Sequence, residues 1–111
     1  VSPENEQAIR SMVNNILPPE LLQARARIDE IDNELIKLLA DRFSQTLQVG
    51  RIKAIQELQS FDPDRETQKI QKLRKMSEEM GINPDLVANL FTQIMQEVVR
   101  NHQRLKIELD A

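Results

Sequence analysis

An all-α fold built around one unusually long helix is what this sequence predicts, and three observations carry the prediction. Apolar residues recur at steps of three and four. Capping residues followed by proline mark helix starts. Only two Gly and five Pro occur among 111 residues, too few tight turns for a many-stranded sandwich or barrel.

The elements follow in chain order. Ser2-Pro3-Glu4 opens a short helix, with Ser at the cap and Pro in the first turn; Ile9, Met12, Val13 and Ile16 form its stripe, and Pro18-Pro19 stops it. No proline occurs from Glu20 to Phe61. One helix can therefore run from Glu20 to about Leu58, on the order of 55–60 Å at about 1.5 Å per residue. A compact chain this size has a radius of gyration of about 13–14 Å, so the two helices that follow cannot cover it along its length. Either it breaks near Gly50 or it packs against a second copy of itself; an intertwined homodimer is the favoured reading. Asp62-Pro63-Asp64 starts the next helix and Gly81 suits its C-terminus. Asn83-Pro84-Asp85 starts a last helix running to about Glu108. Residues 1–18 thus form a short helical extension and 19–111 the main helical domain.

Composition excludes several kinds of chemistry. Hydrophobic residues make up 40% and charged residues 30%, an ordinary balance for one domain with a core. Aromatics are 3%, with no Trp or Tyr, and the net charge is −3; both argue against nucleic-acid binding. The absence of Cys removes disulfides, thiolate zinc sites and cysteine nucleophiles, and a single His cannot build a multi-histidine metal site. No cofactor is expected. No apolar run approaches the roughly 20 residues that span a bilayer and no signal peptide is visible, so a cytoplasmic location is expected. Val1 in place of Met suggests a processed or cut start.

The long helix carries charges where a packing stripe should be apolar. Steps of three and four pass through Arg25, Ile28, Asp32, Leu35, Leu39, Arg42, Thr46, Val49 and Lys53. Long basic side chains can snorkel from such a seam to water. Three of them on one stripe, however, need anionic partners when buried, and Asp32 can serve one at most. An anionic ligand is therefore plausible. Arg42 and Lys53 lie eleven residues apart, roughly 16 Å along the axis, and could grip a small molecule between them. Arg25, about 25 Å before Arg42, could reach that site only from another chain of an antiparallel dimer.

On the next helix Asp62 and Asp64 are best read as capping and surface charge. Arg65 fits that reading poorly, because a cation near a helix N-terminus opposes the dipole. Glu66 could make an ordinary ion pair or accept a hydrogen bond from a ligand hydroxyl. Phe91, Met95, Val98 and His102 share one face of the last helix. A lone His ending such a stripe is more often structural; its functional reading is a hydrogen-bond donor into the same cavity.

Collected together, these residues resemble the all-helical class of chorismate mutases. The matching stretches are Arg25-Ala-Arg-Ile-Asp-Glu-Ile-Asp32, Leu38-Leu-Ala-Asp-Arg42, Val49-Gly-Arg-Ile-Lys53, Asp62-Pro-Asp-Arg-Glu66 and Leu90-Phe-Thr-Gln-Ile94. No single piece is specific; the ordered set, spanning about residues 21–105 without a gap, is. The resemblance implies an intertwined dimer of three-helix protomers, here with the short N-terminal helix added. It also implies rearrangement of chorismate to prephenate, in the shikimate-pathway branch of aromatic amino acid biosynthesis toward phenylalanine and tyrosine. By the same resemblance Arg42 grips a substrate carboxylate and Arg25 is donated from the other subunit. Lys53 meets the ether oxygen and a carboxylate, Arg65 is a further cationic site residue, and Glu66 binds the ring hydroxyl with Asp62 beside it. Two positions depart from the best-known bacterial pattern: His102 stands where a glutamine donates to the ether oxygen, and Val98 where a serine lies near a carboxylate. Valine cannot hydrogen-bond, so one substrate contact is missing or supplied elsewhere.

Such a pericyclic rearrangement needs no nucleophile, net proton transfer or metal, which suits this composition. Orientation and charge complementarity are what the protein can supply. The alternatives are an isochorismate pyruvate-lyase of the same fold, which the loop at Leu58–Asp62 would help to distinguish, and a non-catalytic helical dimerisation or regulatory module. A plain dimeriser would favour Leu along the basic seam; Val98 keeps that reading open. A DNA-binding helix-turn-helix is least compatible with the acidic balance.

Overall fold

The computed structural model describes residues 3–58 and 62–110, apart from the side chains of residues 3, 4 and 13–15. The expected Ser2 cap, the Val13 side chain and most of the connection before Asp62 therefore lie outside the described residues. Four helices make up the described chain, with no strand among them: α1 (Pro3–Ile16), α2 (Pro19–Ile55), α3 (Pro63–Glu79) and α4 (Pro84–Asp110). No described helix is long and apolar enough to cross a membrane.

α2 does not break at Gly50; it runs on to Ile55, three residues short of the expected end. Its termination is a Schellman motif. The Leu58 N–H donates to the Lys53 carbonyl and the Glu57 N–H to the Ala54 carbonyl, with Glu57 left-handed at φ 58°. α3 ends the same way: the Ile82 N–H donates to the Ser77 carbonyl, the Gly81 N–H to the Glu78 carbonyl, and Gly81 takes φ 73°. Gly81 adopts this conformation without steric cost, whereas Glu57 has a Cβ that opposes it. Glu57→Gly is therefore expected to raise stability by about 0.5–1 kcal/mol, measured by urea unfolding. Unchanged or lowered stability would show that the left-handed turn at 57 carries no cost.

The starts obey the sequence signals. Asp62 Oδ1 accepts the Arg65 N–H at 3.1 Å with Pro63 in the first turn of α3, and Asn83 Oδ1 accepts the Asp85 N–H at 3.0 Å at the start of α4.

The chain divides into two compact units, Val1–Ala40 and Asp41–Ala111. In the first, apolar side chains are open to solvent: Ile9, Met12, Ile16, Ile28, Leu35, Ile36 and Leu38 are all more than half exposed. In the second, α3 packs on α4, and Ala88, Ile94, Leu105, Ser77 and His102 are buried. The Ser77 hydroxyl is satisfied by donating to the Leu73 carbonyl at 2.7 Å, and Arg74 pairs with Asp85 at 2.7 Å to tie α3 to the start of α4.

Along α4, Glu97 accepts from Arg100 at 2.7 Å and from Arg104 at 3.1 Å. The hydrogen bond from Arg100, with the charges of both arginines, holds the Glu97 carboxyl below its ordinary range against the desolvation that opposes it. A carboxylate whose pKa is lowered on folding adds stability above its unfolded pKa and loses it as pH falls through the folded value. The stability gap between the native chain and Glu97→Gln should therefore close as pH drops through the carboxylate range. A gap independent of pH would remove the electrostatic cause.

Candidate active site

Three helices of the second unit enclose a cavity of about 160 Å³. α2 supplies Arg42, Thr46, Val49 and Lys53, residues that follow one another at steps of three and four and so share one face. The α3 start supplies Asp62, Arg65, Glu66 and Lys69, and α4 supplies Met95, Val98, Val99 and His102. Every position singled out in the sequence lies in this lining except Arg25, which is exposed on α2 within the first unit.

Charge is the main feature of the lining. Four basic side chains face two carboxylates. The ion pairs among the described residues join Arg27, Arg74, Arg100 and Arg104 to acids outside the cavity; Arg42, Lys53, Arg65 and Lys69 have no such pair. Arg42 is half-buried, its guanidinium carbon lies 6.0 Å from the centre of the Phe91 ring, and its Nη1 is buried without a hydrogen-bond partner. A guanidinium on an aromatic face keeps its in-plane donors for other acceptors. A buried donor left unsatisfied is costly, so this arrangement suits an anionic acceptor in the cavity.

Asp62 joins two readings: it caps α3 and also lines the cavity. His102 is likewise half structural. It is 5% exposed, and its Nε2 lies 2.7 Å from the Thr46 carbonyl, while Nδ1 is buried without a partner. A carbonyl only accepts, so Nε2 carries the proton and donates.

Sequence reasoning did not single out Thr46, Val49, Lys69, Met95 and Val99 as site residues. Thr46 and Val49 stood on the basic seam and Met95 on the α4 stripe. Lys69 had a signal as well, lying four residues after Arg65 and three after Glu66 on one helical face. A second hollow, of about 630 Å³, runs along α3 and α4 past Thr67, Ile70, Thr92 and Arg100. Its single cation, Arg100, is already paired with Glu97, so it lacks the unmatched positive charge of the first.

Among the described residues, cations without ion-pair partners outnumber the carboxylates around this small, partly apolar cavity. The family described as chorismate mutase type II matches residues 24–103. The chain is 33% identical over 89 residues to a chorismate mutase of Methanocaldococcus jannaschii, covering 80% of this chain and 89% of that one. It is 35% identical over 78 residues to the T-protein of Enterobacter agglomerans and 34% identical over 84 residues to that of Haemophilus influenzae. Those matches cover 70% and 76% of this chain, which spans only about a fifth of either T-protein's length. The chain belongs to the chorismate mutase type II family. α1 precedes the matched region.

Proposed function

We propose that this chain rearranges chorismate to prephenate, acting as an intertwined homodimer in which Arg25 of each copy completes the other's site. The observation that carries the reading is the single cavity lined by Arg42, Lys53, Arg65, Glu66 and His102, with its basic groups unpaired among the described residues. The substrate is a dianion with two carboxylates, a ring hydroxyl and an ether oxygen. Arg42, with Arg25 of the second copy, holds the carboxylates so that the enolpyruvyl side chain folds over the ring. Glu66 accepts from the hydroxyl and orients the ring. As the C–O bond breaks, negative charge gathers on the ether oxygen, where Lys53 meets it with a donor already in place and the imidazolium form of His102 adds a second. Val98 adds shape but no hydrogen bond.

The dimer is supported by the open apolar side chains of the first unit. Ile28, Leu35 and Leu38 would remain half or more in water in a lone chain. Each large aliphatic side chain fully buried against a second copy contributes about 1.5–3 kcal/mol.

The deciding experiment is chorismate consumption with product identification. Prephenate is the expected product. Release of pyruvate, or no consumption by a folded protein, overturns the assignment.

A further inference from the structure

Lys69 lines the cavity from about two turns into α3, yet the fold gives its charge no task. The side chain is half-buried and its ammonium makes no ion pair or hydrogen bond among the described residues. That ammonium is also not one of the polar atoms sealed from solvent without a partner, which are Arg42 Nη1 and His102 Nδ1. The acid within helical reach is Glu66, three residues earlier, and the two stay unpaired. Arg65, four residues earlier, and Lys72, three later, are like charges at spacings that destabilise a helix. Arg65 and Lys69 thus bring two positive charges, one turn apart, to the same cavity. An anion between them turns that repulsion into attraction. The second hollow shares Glu66, Met95 and Val99 with the cavity but not Lys69, so Lys69 serves the cavity alone. From α4 the cavity receives Met95, Val98 and Val99, none of which can donate a hydrogen bond, and His102, whose Nε2 is given to the Thr46 carbonyl. The grip on an anion therefore falls to α2 and α3.

We propose that Lys69 is a further substrate-binding residue, which closes with Arg65 on one carboxylate of the dianion. This rests on the reading of the cavity as the reaction site. Within one chain the lining holds four cations and two carboxylates, an excess of two that equals the charge of a dicarboxylate. Lys69 supplies half of that excess. Its ammonium is a point charge with three donors on a flexible stem, so it can follow a carboxylate as the enolpyruvyl side chain folds. The carboxylates keep their charge through the rearrangement. Lys69 therefore holds substrate and transition state alike, and its contribution falls on KM rather than kcat. Lys53 differs, because the charge it meets appears only as the C–O bond breaks.

The test joins steady-state kinetics on chorismate with calorimetric binding of prephenate, which needs no turnover. Lys69→Met keeps an unbranched side chain and removes the charge. It should raise KM for chorismate and the Kd of prephenate by about 10–100-fold, the effect of losing one charge-assisted hydrogen bond. Its kcat should stay within about 3-fold of native. Lys69→Arg, which keeps the charge, should recover most of the lost affinity. A chemical cycle with the two monomethyl esters of prephenate locates the contact. The penalty of Lys69→Met should persist for one ester and vanish for the other, in which the carboxylate held by Lys69 is masked. Unchanged KM and Kd in Lys69→Met, a loss carried by kcat alone, or an equal penalty for both esters overturns the proposal and leaves the reaction standing. A native protein that consumes no chorismate yet binds prephenate loses the proposed reaction, and the calorimetry still decides the role of Lys69. A native protein that does neither overturns both.

Discussion

Lys53→Ala is expected to lower kcat by at least about 10²–10³, while the helical circular dichroism and the oligomeric state stay as they were. Lys53 lies in the last turn of α2, half-buried, lining the cavity and free of any ion pair among the described residues. Its charge lies near the negative end of the helix dipole, a favourable interaction. The variant removes a preorganised charge without opening a packed core, since no large side chain among the described residues is fully buried. Turnover within a few-fold of native would take Lys53 out of the reaction. A change of oligomeric state together with the loss of activity would move its role from chemistry to assembly.

The second large effect is a recovery. Arg25→Ala and Lys53→Ala chains should each be nearly inactive alone. Mixed in equal amounts and allowed to exchange, they should regain about a quarter of native activity. Half of randomly paired dimers are mixed, and each mixed dimer has one site with both its own Lys53 and an intact Arg25 from the other chain. Arg25 is exposed and outside the cavity lining, so a single chain gives it no local task. Absence of recovery despite demonstrated chain exchange would remove the shared site. Full activity of Arg25→Ala by itself would do the same.

Local signals made most of the helices legible. The Asp62-Pro63 and Asn83-Pro84 starts stand where capping chemistry puts them, and α4 ends two residues beyond its expected limit. The end of α2 was misjudged because no glycine or proline marks it. A glutamate takes the left-handed position there, against its propensity. At Gly50, the less favoured of the two readings, a break, does not occur: glycine weakens a helix locally, but here α4 lies against the bare backbone and the helix continues.

The cavity's polar residues were legible because three cations on an apolar stripe are expensive unless something anionic meets them. Lys69 was missed because its spacing from Arg65 and Glu66 marks only a shared helical face, and which face meets the cavity is set by the helix packed beside it.

By itself the sequence determined the helices and the kinds of charge they carry, since caps, periodicity and dipole act within a few residues of one another. Only the tertiary structure decided how each helix is rotated about its own axis. That rotation sets Phe91 beneath Arg42, lays the imidazole of His102 on Gly50 and gives its Nε2 to the Thr46 carbonyl. These contacts join residues about fifty positions apart, and they arise from close packing between helices, which no local pattern encodes.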